Sequence, residues 1–434
     1  MSRMSKSSIR NSGRLALILA GTFAAAPARA QLPSASPAAL GMGDNYTAMA
    51  RGFGAVAWNP ANLGLTGNPR FSLAILGLRG SSDLGPISTS DVARYQGVPL
   101  PDDVRAGWMQ RIQDQGGEQG QLGAGVTYLG MSVGRFAFQL SSAVTGDANL
   151  APDAMELLLY GNAGRTGSPR DMNLDGARLT GALTTTAALS WGRPINLGVG
   201  RLALGLTAKY VTGNALVHGQ DAGSFLTANA SQISVSFPLI VSDTGGGNTS
   251  ANHGHGVGLD LGAAWQSGPL TAGLALQNVV NTFRWDASGM FYKPMNAYYG
   301  ADTSYSQSSG ALPIDSAPAA MRDWLDAQRF RPSLAAGAAY QLTRALIVSA
   351  DVRHQLGNGM RVAEQTHAGV GAELRAIPFI PLRVGVAKMS GGWALAGGTG
   401  FEIGPVNLTI SGQDRHTTQG RTPAVALGVT IGTR

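Results

Sequence analysis

The 434-residue sequence contains no cysteine, which excludes a disulfide framework and a lipid anchor attached through a cysteine. Charged residues make up only 13% of the chain, about half of the roughly 25% that soluble domains carry. Apolar runs of the roughly 18 residues that a membrane-spanning helix needs are also missing. Glycine, in contrast, is abundant, with 61 residues. A chain with few charges and no helical span can still cross a membrane as a β-barrel.

The first thirty residues have the pattern of a secretory signal. Basic residues from Arg3 to Arg14 precede a short apolar stretch from Leu15 to Ala25, and Ala28 and Ala30 give the small-residue form of a cleavage site. We therefore expect residues 1–30 to be removed on export. Because this segment holds five Lys or Arg and no acid, the net charge of +7 falls to about +2 in the exported chain, which argues against a nucleic-acid partner.

After residue 67 the chain consists largely of segments in which apolar and small residues alternate with period two, the pattern of half-buried strands. The fourteen predicted strands lie near residues 70–79, 123–131, 136–144, 177–191, 199–210, 257–265, 270–276, 334–342, 346–353, 366–375, 382–388, 393–403, 406–411 and 425–431. In the first of them, alternation places Leu76 on the same face as Ser72 and Ala74. Most have about the nine residues with which a tilted strand crosses a bilayer, which predicts an all-β, 14-stranded antiparallel transmembrane β-barrel.

The lengths of the predicted connections also favour a membrane barrel. Connections after even-numbered strands are short, whereas the four longest all follow odd-numbered strands, as expected for tight periplasmic turns and long external loops. Two of the long loops contain predicted short helices, at 101–112 and 152–160. Aromatic residues precede the short turns, as in an interfacial girdle: Tyr128, Trp191, Trp265, Tyr340 and Phe401. A soluble sandwich would also alternate, but it does not require this parity of loops and aromatics.

The segment from Gly41 to Gly64 is too rich in glycine for a stable helix and too irregular for a strand. We interpret residues 31–66 as a hatch inside a barrel formed by residues 67–434. On this interpretation, strand faces rich in Gly, Ala, Ser and Thr point inward and make room for the hatch. The alternative is a loose linker after the cleaved signal.

The hatch segment resembles a known family. Gly41 and Gly43, the run Tyr46-Thr47-Ala48 and the motif Trp58-Asn59-Pro60-Ala61 are similar to the N-terminal hatch of the outer-membrane fatty-acid transporter superfamily (FadL type). The strand entry Arg331-Pro332-Ser333 is also similar to that group. Several loops look closer to an uncharacterised branch that also resembles the shuttle barrels of type IX secretion (PorV-like).

The resemblance implies an outer-membrane barrel, plugged by its N-terminus, that passively transports hydrophobic molecules such as fatty acids. It also implies membrane lipids, a hydrophobic small-molecule ligand and the barrel assembly machinery as partners. Arg434 differs from the terminal aromatic residue common in such barrels. The alternative function is a scaffold or shuttle that docks secreted or surface proteins through its long external loops.

The candidate site residues fall into two groups. The hatch group contains Gly41, Gly43, Trp58, Asn59, Pro60 and Ala61. Pro60 fixes its own φ and biases Asn59 toward extended conformations, so the motif favours a defined turn, with hatch closure and a purely structural turn both open. The lumen-facing charges are Asp351, Arg353, Glu373, Arg375 and Arg383. These can neutralise one another or hold a plug, and alternatively they can bind a ligand head group.

The sequence predicts no metal, cofactor or enzymatic activity. His253 and His255 lie together in a glycine-rich loop without a third ligand. A nucleophile elbow, a phosphate-binding loop and a dinucleotide fingerprint are all missing, although a barrel enzyme acting on lipid remains a third alternative. Apolar and aromatic loop residues are candidates for capturing hydrophobic ligands: Met290, Phe291, Tyr292, Tyr298 and Tyr299.

Overall fold

A computed structural model describes residues 35–228, 232–242, 252–300, 304–308, 310–357, 359–360, 365–417 and 420–433. The predicted signal segment and its cleavage site lie outside these described residues. The predicted domain boundary at residue 66 remains a prediction.

Fourteen strands form the wall of a closed barrel, which confirms the predicted fold class. They are β1 Phe71–Gly85, β2 Glu118–Val133, β3 Phe136–Leu150, β4 Arg178–Asn196, β5 Arg201–Gln220, β6 Gly254–Ser267, β7 Leu270–Asn281, β8 Ser333–Gln341, β9 Leu346–Gln355, β10 Thr366–Ile377, β11 Ile380–Met389, β12 Gly392–Ile403, β13 Val406–Thr417 and β14 Gly420–Thr433. Each strand pairs antiparallel with its neighbour in sequence. Antiparallel pairing between β1 and β14 closes the wall, so the barrel has no free edge.

The connections have the predicted parity. Turns after even-numbered strands are short, as at residues 134–135 and 404–405, whereas the connections at 86–117, 151–177, 221–253 and 282–332 follow β1, β3, β5 and β7. On the loop side, β1, β2, β3 and β5 extend further than the sequence pattern predicted. β4 and β5 reach 19 and 20 residues, compared with 9 residues in β8. The barrel wall is therefore taller on the side of β1–β5.

Short helices occur in the hatch and in the external loops of the described chain: α1 Pro37–Gly41, α2 Ala55–Trp58, α3 Thr89–Arg94, α4 Asp102–Gln115, α5 Pro152–Tyr160 and α6 Ala319–Ala327. The two predicted loop helices correspond to α4 and α5, whereas α3 and α6 were not predicted. 3₁₀ turns lie at Gly52–Gly54, Pro60–Gly64, Gly161–Ala163, Ala287–Gly289 and Ile314–Ser316. Within the described residues, every helix is too short or too polar to cross a membrane.

The external loops carry short strands of their own. A second, five-stranded sheet contains Met172–Asn173, Phe225–Leu226, Ile233–Ser236, Met295–Tyr299 and Ser304–Ser308. Four further short strands join the barrel sheet: Leu239–Val241, Arg284–Trp285, Phe291–Lys293 and Leu312–Pro313. The loops are thus ordered extensions of the wall rather than plain connections.

The outer face of the barrel is apolar. Leu189, Val425 and Ile403 are 56%, 60% and 74% exposed, an arrangement that costs free energy in water and is favourable against hydrocarbon. Four of the five predicted girdle residues are also exposed: Tyr128, Trp191, Tyr340 and Phe401. Trp265 differs because it is half-buried, with its indole Nε1 donating to the Val199 carbonyl oxygen at 3.3 Å.

A bulge in β1 overturns the predicted face of Leu76. Pairing with β14 shifts register between Ala74 and Leu76, so Ile75 and Leu76 are both exposed, at 54% and 43%. Ser72 and Ala74 face inward below the bulge, whereas above it the inward positions are odd-numbered and include Arg79. The bulge therefore turns a charged side chain into the lumen that strict alternation would have placed against lipid.

Candidate functional site

The hatch lies inside the lumen. Leu40, Met42, Asn45 and Asn62 are each 0% exposed, although they come from a segment with little regular structure. Local caps give this segment its shape. Ser36 caps α1, and Asn59 caps the turn Pro60–Gly64, each with a proline in the first helical turn where its missing N–H costs nothing.

Glycines in the barrel wall allow the hatch backbone to approach closely. A Cβ atom at Gly205 would lie 2.1 Å from the Ala61 nitrogen, and one at Gly385 would lie 2.1 Å from the carbonyl carbon of Met42. Both distances are far below van der Waals contact, so only glycine fits at these two positions. The inward faces of β5 and β11 are thus shaped to the hatch.

A buried ion pair joins the hatch to β1. The Arg79 Nη1 and Nη2 atoms donate to the two Asp44 carboxylate oxygens at 2.7 and 2.6 Å, and both residues are less than 10% exposed. Asp44 has a φ of 61°, a left-handed conformation that aspartate tolerates better than most residues. Sequence reasoning did not single out this pair. Arg79 was the available signal, as the charge that ends an otherwise apolar strand.

The predicted lumen charge Asp351 contacts the hatch backbone directly. Its Oδ2 atom accepts hydrogen bonds from the Tyr46 and Thr47 amides at 2.8 and 2.7 Å. The Ser349 hydroxyl, on the same face of β9, donates to the Asn45 carbonyl oxygen at 2.8 Å. These bonds satisfy amides and a carbonyl that no regular element pairs, and they tie the middle of the hatch to one wall strand.

Arg353 and Trp58 meet at the hatch surface. The guanidinium carbon of Arg353 lies 4.7 Å from the centre of the Trp58 ring, which is a cation–π contact, and the Tyr46 ring meets Trp58 edge to face at 5.9 Å. The predicted hatch residue Trp58 and the predicted lumen charge Arg353 are therefore in contact. They belong to one site rather than to two.

The remaining predicted charges form a chain of ion pairs across three strands. Glu373 accepts from Arg375 Nε at 2.7 Å and from Arg383 Nε at 2.6 Å, and Arg375 Nη1 also donates to Glu402 at 2.6 Å. A Cβ at Gly41 would lie 3.3 Å from the Arg383 Cβ, so this chain lies beside the start of the hatch. The four charges neutralise one another around it.

The Asn59-Pro60-Ala61 motif joins the hatch to β6. The Asn59 Oδ1 atom accepts from the Ala61 amide at 3.0 Å, while its Nδ2 atom donates to the Ala263 carbonyl oxygen at 3.0 Å. One amide side chain thus caps the local turn and bonds to the wall. The predicted turn chemistry is present, and the contact with β6 is a feature that the sequence did not reveal.

A second buried ion pair, between Lys209 and Asp260, was not predicted from the sequence. Lys209 Nζ lies 2.5 Å from Asp260 Oδ1 and donates to the Asn278 side-chain oxygen at 2.6 Å. Asn278 has a φ of 54° and lies where β7 stops pairing with β8. Nearby, the Gln277 side chain donates to the Ala57 carbonyl oxygen at 2.8 Å, which links this network to the hatch.

An apolar cluster occupies the loop side of the lumen. Many of its members come from β5 and from the connection between β7 and β8, and these include Val211, Leu216, Phe283, Trp285, Met290, Met321 and Leu325. Met290, one of the predicted capture residues, is 1% exposed within it, whereas Tyr299 is 57% exposed on the external sheet. The predicted capture residues therefore do not form one surface.

His253 and His255 do not come together as a metal site. His253 is buried and His255 is exposed at the start of β6. In the part of the chain that the structure describes, no three His, Cys, Asp or Glu side chains are arranged to hold a metal ion.

The closed 14-stranded wall, its apolar outer face and its internal hatch define a plugged β-barrel of the outer-membrane type. Comparison with family profiles identifies the family. The chain belongs to the family described as "F plasmid transfer operon, TraF, protein", whose profile matches residues 106–352, more than half of the sequence. No curated protein matches the sequence.

Several solved structures are similar to this chain. The toluene transporter TodX of P. putida has a TM-score of 0.52 and 11% identity, with 93% of this chain and 99% of that chain covered. The Ralstonia pickettii toluene transporter TbuX (TM-score 0.49, 17% identity) and a Pseudomonas aeruginosa FadL homologue (0.47, 13%) have the same coverage. The predicted resemblance to FadL-type barrels is confirmed at the level of the fold. The likeness to type IX secretion shuttles stays untested.

The ion pair between Asp44 and Arg79 gives a first prediction. Asp44→Asn keeps the shape of the side chain but leaves a buried guanidinium without its counter-charge, which typically costs about 3–5 kcal/mol. We expect the hatch to undock more often, and its backbone amides to exchange hydrogen faster in the purified barrel. The matched control is the Asp44→Asn, Arg79→Gln double variant, which buries no unpaired charge and should lose less. Unchanged hydrogen exchange in the single variant would show that this ion pair does not hold the hatch in place.

Glu118 gives a second prediction, on the external loops. At the loop end of β2 its carboxylate accepts from the Ile87 amide at 3.1 Å and faces Arg111, Asp91 and Asp83. Burial raises the pKa of Glu118 from 4.5 to about 8. The folded loop therefore holds a proton that the unfolded loop releases, so its stability is greatest below about pH 4.5 and is lost as the pH rises through 8.

Proteolysis of residues 86–117 measures this effect. Cleavage should increase between pH 5 and pH 9 after correction for the protease's own pH dependence. Glu118→Gln, which cannot ionise, should flatten the profile. A profile that is equally steep in Glu118→Gln would show that ionisation of Glu118 does not cause the effect.

Proposed function

We propose that this protein is an outer-membrane channel for the passive uptake of small hydrophobic molecules, closed at rest by its hatch. The observation that carries the proposal is the hatch itself, which lies in the lumen against wall glycines and is held by the Asp44 ion pair and the Asp351 hydrogen bonds. The toluene transport named for the similar TodX barrel supports this class of substrate. Export through a cleaved signal at residues 1–30 is part of the same proposal.

The contacts of the hatch suit a closure that can be released. They consist of side-chain hydrogen bonds, an ion pair, apolar packing and glycine contacts, with no strand pairing between hatch and wall among the described residues. These contacts can break without disrupting the hydrogen bonds between barrel strands, because pairing of β1 with β14 closes the wall without the hatch. Such a plug can move while the wall stays intact.

Uptake into proteoliposomes tests the proposal. Purified full-length protein should increase entry of toluene, a medium-chain alkane or a fatty acid above that of protein-free liposomes. Entry of glucose should remain unchanged, since a plugged lumen offers no open aqueous path. Failure of every hydrophobic compound in the panel would refute the transport proposal.

A second candidate function is a docking platform for secreted or surface proteins. The five-stranded sheet outside the barrel favours it, because it gives the loops a folded surface with exposed side chains such as Met295 and Tyr299. Isolation of the barrel from native membranes distinguishes the two. A stoichiometric protein partner that is lost when residues 295–299 are replaced would support docking, and a barrel isolated alone would oppose it.

A further inference from the structure

A cavity of about 640 Å³ lies between α3 and the loop-side ends of β1–β5. This volume is typical of small-molecule sites. The α3 side contributes Thr89, Val92, Ala93 and Gln96, whose spacing puts them on one face of the helix and the turn that follows it. A capping box formed by Ser88 and Asp91 fixes the start of α3. One helical face thus covers one side of the cavity.

Glycines and aliphatic side chains from the strands form the other side. Strand register puts Leu122, Gly146, Gly181 and Val217 in one row across β2–β5. The next row contains Leu84, Gly120, Ala148 and Leu179. Because the large side chains in these rows stand beside glycine and alanine positions, they leave a groove in the surface of the sheet.

These aliphatic side chains point away from the lumen. Arg79 on β1 and Thr127 on β2 face inward, because they bind Asp44 and the Ala35 amide of the hatch. Leu84 on β1 is an odd number of positions from Arg79, and Leu122 on β2 is an odd number of positions from Thr127. Both leucines therefore face outward. On β4, Leu179 has the parity of the exposed Leu189, so the groove is continuous with the lipid-facing surface.

The lining has a distinct chemistry. Its aliphatic members come from all five strands and α3, and none of the described lining residues is aromatic, Lys, Arg or His. The two charged residues of the lining, Asp83 and Asp147, have the parity of inward-facing positions, and Asp147 is paired with Arg178 at 3.7 Å. A carboxylate ligand would therefore lose its hydration in this groove without gaining a cation as counter-charge, which is unfavourable in surroundings of low dielectric.

We propose that this groove binds the aliphatic chain of an uncharged small molecule, such as an alkane or a long-chain alcohol, and discriminates against fatty-acid anions. The inference rests on the proposed function and narrows its substrate class. Continuity with the lipid-facing surface provides the entry route for a ligand dissolved in the membrane. The absence of a cation from the lining sets the preference for a neutral compound.

Photo-crosslinking on the full-length barrel in nanodiscs tests the groove. The probes are dodecanol and dodecanoic acid, each with a diazirine on the chain, used at pH 8 where the free acid is ionised. The alcohol should label peptides of α3 and β2–β5 about tenfold more than the acid does, as expected for about 1.4 kcal/mol of discrimination. Equal labelling by the two probes would overturn the proposal.

Two glycine variants form a matched pair. A Cβ at Gly120 meets only the Leu84 Cδ1 at 3.8 Å, so Gly120→Leu fits the backbone and fills the groove. Gly412, on the lipid-facing side of β13, has similar open space and an exposed surface. Gly120→Leu should remove the labelling, and Gly412→Leu should leave it unchanged. Labelling that survives Gly120→Leu would place the probe in surrounding lipid and overturn the site.

A charge variant tests the selectivity. Gln96→Lys adds a cation to the covering face of the groove, and labelling by the acid probe should then rise toward that of the alcohol. No increase, or mass-spectrometric detection of a phospholipid chain in the groove in place of the alcohol, would overturn the neutral-ligand assignment. The uptake assay tests a separate proposal. Labelling of the groove without uptake would refute the transport proposal alone. Uptake of alkanes without labelling of these peptides would refute ligand binding in the groove alone.

Discussion

A disulfide formed in the Phe53→Cys, Gly130→Cys double variant is expected to lock the hatch against the barrel wall. Uptake of hydrophobic compounds should then fall to that of protein-free liposomes. A Cβ at Gly130 would lie 3.3 Å from the Phe53 Cβ, close to the roughly 3.5–4.5 Å that disulfides require. The natural sequence has no cysteine, so the new bond has no competitor. Reduction with dithiothreitol should restore uptake, because the wall is unchanged and only the tether is removed.

The two single variants, Phe53→Cys and Gly130→Cys, are the controls, and oxidant should not affect their uptake. This comparison separates locking from the loss of the Phe53 ring, which packs on Gly130 in the natural protein. Full uptake by the oxidised double variant would show that hydrophobic molecules pass without movement of this part of the hatch.

Deletion of residues 31–64 is expected to raise single-channel conductance, on the order of tenfold, in planar bilayers. The hatch fills the lumen against Gly205 and Gly385, and its removal leaves a space lined by small and charged side chains such as Arg79 and Asp351. Ions can cross such a hydrated space. Unchanged conductance after the deletion would show that the hatch does not control the pore.

A point variant provides the same test without a deletion. Gly205→Leu puts a Cβ 2.1 Å from the Ala61 nitrogen, so the hatch cannot dock against β5. Its conductance should approach that of the deletion variant. Gly412→Leu adds the same side chain to the outer face and should conduct as the natural protein does. A conductance rise in both variants would indicate general damage to the barrel.

Much of the barrel was predictable because a membrane wall imposes a simple rule on sequence. Each strand exposes every second side chain to hydrocarbon, so segments such as Val257–Trp265 reveal themselves by alternation alone. The alternation of short and long connections then predicts which ends of the strands lie on the same side of the membrane. α5 was also readable, because Pro152 and Asp153 mark the start of a helix.

The extension of β5 on the loop side was not predictable from alternation. Beyond the membrane a strand need not be apolar on either face, so the predicted strand ends at residue 210 although pairing with β4 continues to residue 220. The groove under α3 depends on this extension and on the register between strands. No single segment carries the information that Leu122, Gly146 and Gly181 share a row.

The sequence by itself determined the all-β class, the fourteen strands, the order of short and long connections and the presence of a non-barrel segment at Gly41–Gly64, because these follow from local periodicity and composition. Only the tertiary structure decided which wall residues hold that segment. The β1 bulge reverses the face of Arg79, and the partner of Arg79 lies 35 residues away at Asp44. Such pairs depend on backbone geometry and strand register, which a linear pattern does not encode.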